Sequence, residues 1–247
     1  MSAATSLADK GFDVTIIEKN STAGGRARKF EHEGYMFDMG PSWYWMPDVF
    51  ETYFARFDKK PSDYYALKRL DPSYRVFFED EQVDMPASMQ GLIELFESRE
   101  KGAGKNLKKF LADASIKYDA GINDLVNKPS LSIFEFAKWK VLKGLFQLDL
   151  FSNFHDFARK FFKDPKLLSI IEFPVLFLGA MPKETPALYS LMNFADLKLG
   201  TWYPMGGMHT VIEGMVKLAE EKGVKFRFDE AVQKISSNGT LSVKTSK

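Results

Sequence analysis

Cysteine is absent from the 247 residues. That removes disulfides, thiolate metal sites, a cysteine nucleophile and any cysteinyl attachment of a cofactor within this chain, and it fits a reducing compartment. Histidine is scarce: His32, His155 and His209 stand far apart with no H-x-x-x-H pair, so a metal site is not expected. Excess charge is missing too. A formal net charge of +1 at pH 7 leaves no global basic field of the kind that draws nucleic acid, and no nucleic-acid partner is expected. Long apolar runs are also lacking. The longest, Ile170 to Met181, is broken by Glu172 and Pro174 and falls short of the about 20 residues that cross a bilayer. Residues 1–12 carry Asp9 and Lys10 and no apolar h-region, so no secretory signal is read there. The expectation is a soluble protein or one peripheral to the membrane on its cytoplasmic side.

Large apolar side chains are plentiful, with 23 Phe and 11 Met. They suit a well-packed core, a greasy substrate or a lipid surface. The chain is long enough for one large or two small domains. Residues 2–10 read as a helix stopped by Gly11, and 12–18 as a parallel strand buried on both faces. Pro47 to Phe57 reads as a short helix, and Tyr74–Phe78 and Gln82–Met85 as strands. Ser88 caps a helix through Arg99, and Lys101–Lys105 reads as a flexible polar link. Helices dominate from 106 to about 200. Ser132–Glu135 there forms a capping box, and Asp164-Pro165 and Thr185-Pro186 each pair an N-cap with proline. After Gly206-Gly207 a helix runs to Glu221, stopped by Gly223. Strands follow over Val224–Phe228 and Val232–Ser236, with Ser237-Asn238-Gly239 marking a hairpin turn. The fold class is therefore α/β at both ends with a mostly helical insert between.

The chemistry-bearing residues cluster early. Glu18 ends the 12–18 strand, where an adenosine ribose needs a hydrogen-bond acceptor. The usual spacing, about 20 residues from glycine loop to acid, places that loop at or before Met1. Gly24-Gly25 permits a tight turn close to a ligand, and Arg26 offers a planar fork suited to a pyrophosphate. Gly34 to Ser42, including Phe37-Asp38-Met39-Gly40-Pro41, completes the set. Further pieces are Leu70–Arg75, Phe173–Gly179 and Trp202–Met208.

Together these stretches resemble the amine-oxidase-like superfamily of flavoproteins and, more closely, the bacterial phytoene desaturase type of carotenoid desaturase. The resemblance implies a partial Rossmann-like FAD-binding domain over 1–68 and 201–247. Its first strand and glycine loop, and its C-terminal remainder, fall outside the chain. An inserted, mostly helical α+β substrate and membrane domain would occupy 69–200. FAD is the implied cofactor. Glu18 would bind its adenosine ribose, Gly24, Gly25 and Arg26 would line the pyrophosphate and flavin side, and Gly40 and Pro41 would approach the isoalloxazine through backbone. Val232 would meet adenine through backbone. The implied activity is desaturation of phytoene or a related apolar polyene by hydride transfer to flavin, at a membrane surface. A carotenoid isomerase or retinol-saturase-like enzyme is the rival, and a non-catalytic fragment that binds FAD poorly is the reading from another class.

Other residues carry weaker expectations. Asp38 is expected to cap local amides, and His209 to be a surface or helix-end residue. The backbone of Gly206-Gly207 forms a tight turn or packs beside a flavin. The stripe Phe134, Ala137, Val141, Leu145, Leu148, Phe151, Phe154, Ala158 and Phe161 suits a core helix or, given the resemblance, a membrane-facing one. Phe173–Leu178 would line a substrate tunnel. Asp149, His155 and Glu172 are candidate bases in the insert, none singled out, so the catalytic residues stay open, as does the oligomeric state.

Overall fold

Two helix–glycine–strand runs lie side by side. Ser2–Asp9 leads through Gly11 to the strand Thr15–Ile17, and His209–Glu221 leads through Gly223 to Lys225–Arg227. The two strands pair in parallel, with Ile16 opposite Phe226. In this computed structural model residues 1–126, 152–237 and 239–247 are described. The chain divides into two units, Met1–Lys68 with Trp202–Lys247, and Arg69–Thr201.

In the first unit Lys222 pairs with Asp9 at 2.6 Å and Lys225 with Asp13 at 2.9 Å, tying the two runs together. The core is rich in rings: Tyr44, Phe54, Phe57 and Tyr65 pack with Met208, Val211 and Leu218. Tyr44 and Tyr65 share a hydroxyl–hydroxyl hydrogen bond of 3.0 Å, which satisfies both buried oxygens. The strand Thr15–Ile17 is shorter than the expected 12–18 and only partly covered. Residues after Gly11 are taken up in ending the helix, since Gly11 N–H donates to Ala8 and Phe12 N–H to Leu7. Phe12 consequently stands exposed.

An antiparallel hairpin, Arg28–His32 with Tyr35–Met39, was not legible in the sequence. Its turn is Glu33-Gly34, with φ of 50° and 83°, the paired left-handed residues of a tight two-residue connection. The strand Val232–Ser237 pairs antiparallel with Leu241–Thr245. Of the hairpin turn expected between them, Asn238 lies outside the described residues.

The second unit packs a hairpin, Tyr74–Phe77 with Gln82–Met85, among helices Met89–Arg99, Ala103–Tyr118, Phe154–Arg159 and Pro165–Glu172. Its core holds Phe96, Phe110, Phe154, Phe157 and Phe162, with ring centroids 5.4 Å apart for Phe96–Phe162 and 5.8 Å for Phe110–Phe157. Each such ring contributes roughly 1.5–3 kcal/mol by burial. Much of the phenylalanine supply is thus core. Phe154 and Ala158 are fully buried, so this end of the expected membrane-facing stripe faces inward. The earlier part of the stripe and the Ser132–Glu135 capping box lie outside the described residues.

Local caps fall where the side chains dictate. Ser88 accepts from Gly91 N–H at 3.1 Å and Asp164 from Leu167 N–H at 2.8 Å. The polar link expected at 101–105 is instead mostly helix, starting at Ala103. The reason is Glu97, whose two carboxylate oxygens accept from Gly102 and Gly104 N–H and cap the next helix from the preceding one. Thr185 is not an N-cap either. Its hydroxyl donates back to the Met181 carbonyl at 2.9 Å, and the helical turn begins at Ala187, after Pro186.

Glu81 joins the hairpin to two helices through Arg99 (2.9 and 2.7 Å) and Lys166 (2.6 Å). Those hydrogen bonds, Arg99 first, hold its carboxyl down at about 2. Asp196 behaves oppositely. It is buried in the π-helical turn Phe194–Leu199, where Tyr74 donates at 2.7 Å and Thr201 at 3.2 Å. Burial pushes its carboxyl up to about 6 against the lowering effect of those two donors.

Candidate functional site

The candidate site grows from the end of the strand Thr15–Ile17. Glu18 N–H donates to the Arg227 carbonyl at 2.9 Å, and the Glu18 carbonyl accepts from Glu230 N–H at 3.0 Å. One carboxylate oxygen, Oε1, accepts from both the backbone N–H and the side-chain amide of Asn20, at 2.8 and 2.7 Å. Among the described residues Oε2 has no hydrogen-bond partner, which leaves an acceptor beside the strand tip for a hydroxyl. Val232 opens its strand two residues past Glu230 and is half exposed. Glu230 itself is buried. The Thr245 hydroxyl and then Arg227 hold its carboxyl below the usual range.

Gly25–Ala27 forms a single 3-10 turn, with Gly24 before it in a left-handed conformation. Gly40 ends the Tyr35–Met39 strand and lies directly on this turn. A Cβ at Gly40 would stand 2.0 Å from the Arg26 carbonyl oxygen, so only glycine permits the approach. Turn and hairpin together border an open cleft of about 740 Å³ lined by Lys19, Asn20, Gly25, Arg26, Arg28, Met39 and Gly40. Of the expected residues, the structure brings Gly25, Arg26 and Gly40 onto one surface. Gly24 and Pro41 do not line it, and Pro41 is exposed.

The cleft's electrostatics follow from what its cations lack. Lys29, Lys222, Lys225 and Arg227 in the same unit are ion-paired, to Glu213, Asp9, Asp13 and Glu230. Lys19, Arg26 and Arg28 have no carboxylate partner among the described residues, and no carboxylate lines the cleft. Three uncompensated positive charges around a glycine turn favour an anion. Lys19 and Arg28 escaped the sequence reading. Their closeness to Glu18 and Arg26 was the available signal.

Asp38 departs from expectation, and His209 stands at a helix end as expected but is not on the surface. Asp38 caps amides far away in sequence, those of Met208 and His209 at 2.7 and 2.9 Å. His209 is buried, with Nδ1 3.1 Å from the Ala27 carbonyl oxygen. Among the candidate bases, His155 contacts Asp156, and Glu172 is ion-paired with Arg159. Asp149 lies outside the described residues. Among those residues, no group of three or more His, Asp or Glu side chains gathers as a metal site requires.

An α/β unit with an acid at a parallel strand tip and a cation-lined glycine turn beside it has the form of a dinucleotide-binding half. The model of the family "Flavin containing amine oxidoreductase" matches residues 1–247, and the chain belongs to that family. It is 42% identical over 238 residues to a carotenoid 3,4-desaturase of Haloarcula japonica, covering 96% of this chain and 48% of that protein. It is 32% identical to a zeta-carotene-forming phytoene desaturase of Myxococcus xanthus, covering 97% of this chain and 46% of the relative. The crystal structure of an oxidoreductase from Methanosarcina mazei shares the fold at a TM-score of 0.58 and 15% identity, covering 99% of this chain and 53% of that one. The chain spans about half the length of the curated relatives it matches.

Proposed function

We propose that this chain is part of an FAD-dependent carotenoid desaturase acting on phytoene or a related polyene. The observation that carries the reading is the cleft in which Lys19, Arg26 and Arg28 stand without carboxylate partners, one residue from the free acceptor of Glu18. Glu18 Oε2 takes a ribose hydroxyl, the three cations meet the diphosphate, and the Val232 backbone meets adenine. Gly24, Gly40 and Pro41 bring backbone close to the flavin side. These residues fit the group: the cleft is open and cationic, and a Cβ at Gly25 would meet nothing within 4 Å. A bound flavin supplies the hydride acceptor, while the protein binds, orients and excludes water. The Met1–Lys68 and Trp202–Lys247 unit is then a partial Rossmann-like FAD domain, and Arg69–Thr201 the inserted substrate domain.

The polyene enters from lipid. Removing its hydrocarbon from a bilayer into water costs about 25 cal/mol per Å² exposed, so peripheral attachment at the cytoplasmic face spares that transfer. Leu176, Phe177, Leu178 and Met181 support a docking patch in the second unit, at 50, 46, 43 and 61% exposure. Among the described residues no helix is long and apolar enough to cross a membrane.

The test is to supply phytoene to cells carrying the gene and analyse the polyenes formed. New conjugated double bonds are expected. Isomerised polyene with no new double bond would assign a carotenoid isomerase instead. Arg26→Ala is expected to weaken FAD binding about tenfold or more, since one charge-assisted contact is lost. Fluorescence titration measures it, and an unchanged affinity would remove Arg26 from the site.

A further inference from the structure

Behind the cleft, three separate pieces of chain are fastened by two side chains. Asp38, in the Tyr35–Met39 strand, uses one carboxylate oxygen for each of two amides, Oδ2 for Met208 and Oδ1 for His209. Those amides begin the His209–Glu221 helix, where N–H groups have no intrahelical acceptor and the helix dipole favours a negative charge. A Cβ at Gly207 would stand 3.0 Å from Asp38 Oδ2, so glycine there leaves the carboxylate room to reach them.

His209, fixed at that helix start, turns its Nδ1 to the Ala27 carbonyl at 3.1 Å. A carbonyl oxygen only accepts, so Nδ1 carries the proton. The His209 side chain is 7% exposed, and water competes little for the bond. Ala27 N–H in turn donates to the Gly24 carbonyl at 2.9 Å, closing the turn that presents Gly25 and Arg26 to the cleft. Gly40 bears on the Arg26 carbonyl from the neighbouring strand. The carbonyl that ends the turn is therefore held by His209, and Gly40 passes close to the one before it.

We propose that Asp38 and His209 are positioning residues that set the Gly24–Ala27 turn in advance, so that Arg26 faces an incoming diphosphate without reordering. This rests on the reading that the cleft holds the flavin's diphosphate. Neither side chain lines the cleft. They act through Ala27, and what they contribute is preorganisation: a turn left loose must be ordered at the expense of affinity.

Three substitutions separate the hydrogen bond from the packing. His209→Asn places an amide N–H near the position of Nδ1, His209→Gln places it near Nε2, and His209→Ala removes it. His209→Asn is expected to keep FAD affinity within about threefold of the parent, whereas His209→Gln and His209→Ala weaken it about tenfold, the range of one lost hydrogen bond. Amide hydrogen exchange at Gly25, Arg26 and Ala27 should quicken in the Gln and Ala variants alone. Asp38→Asn should weaken binding similarly and quicken exchange at Met208 and His209. Equal exchange across the three His209 variants overturns the proposal, and so does altered exchange with unaltered FAD affinity. Should the parent chain take up no FAD, the exchange pattern still decides the clamp, and the flavin reading alone falls.

Discussion

Gly40→Ala is expected to abolish flavin binding and to destabilise the protein by on the order of 4 kcal/mol. Two costs combine. At φ of +134° an L side chain is strained by roughly 1–3 kcal/mol, and the new methyl would lie 2.0 Å from the Arg26 carbonyl oxygen. That atom is backbone, so the strand and the Gly25–Ala27 turn must separate, at a further cost of about 1–3 kcal/mol. Their separation opens the side of the cleft on which Gly25 and Arg26 stand. Gly25→Ala is the comparison, since a Cβ there meets nothing within 4 Å and its left-handed φ of +56° costs only about 1–2 kcal/mol. Urea unfolding midpoints with FAD titrations of both variants check this. A Gly40→Ala protein with the parent's midpoint and affinity would show that strand and turn do not meet as described.

Asp196→Asn is expected to make stability less sensitive to pH between about 4 and 6. Asp196 titrates near 6 when folded and near 3.8 when free. Between those values the folded protein keeps a proton that the unfolded chain has released. Stability therefore falls as pH rises through that window, by about 3 kcal/mol in total. Asparagine does not titrate. It can still accept from Tyr74, and its amide can donate to the Thr201 hydroxyl. The variant should match the parent near pH 4 and exceed it near pH 7. Carboxyls held low, such as Glu81 near 2, act in a separate range, losing their contribution as pH falls below about 4. Midpoints of both proteins at pH 4, 5, 6 and 7 give the difference, and a difference constant with pH would mean that Asp196 is not buried as a charge.

Much of the fold was legible where one residue's chemistry decides its neighbours. Ser88 and Asp164 cap the helices they precede, and Gly11 and Gly223 end the helices before them, because caps act within a few residues. Gly25, Arg26 and Gly40 could be named because glycine pairs and an arginine carry their chemistry in their type. What stayed hidden depends on distance through space. Asp38 meets amides 170 and 171 positions away, and Glu18 meets Glu230. The Arg28–Met39 hairpin was missed because its exposed apolar residues, Phe30, Tyr35, Met36 and Phe37, blur the alternation that marks a strand. Phe173–Leu178 was singled out as a tunnel lining, but the exposure of Leu176, Phe177 and Leu178 was not legible, since a turn of 3-10 helix shows no period long enough to read.

The chain leaves the first unit at Lys68 and returns at Trp202. Within the first unit Met205 N–H donates to the Ala66 carbonyl at 2.8 Å, and within the second Leu70 N–H donates to Thr201 at 3.0 Å. Each unit's cut ends are thus neighbours, and a link of a few residues can close either one. Such a layout lends itself to exchange: the Arg69–Thr201 segment can be replaced by the same segment of a relative while the ends of the first unit stay where they are.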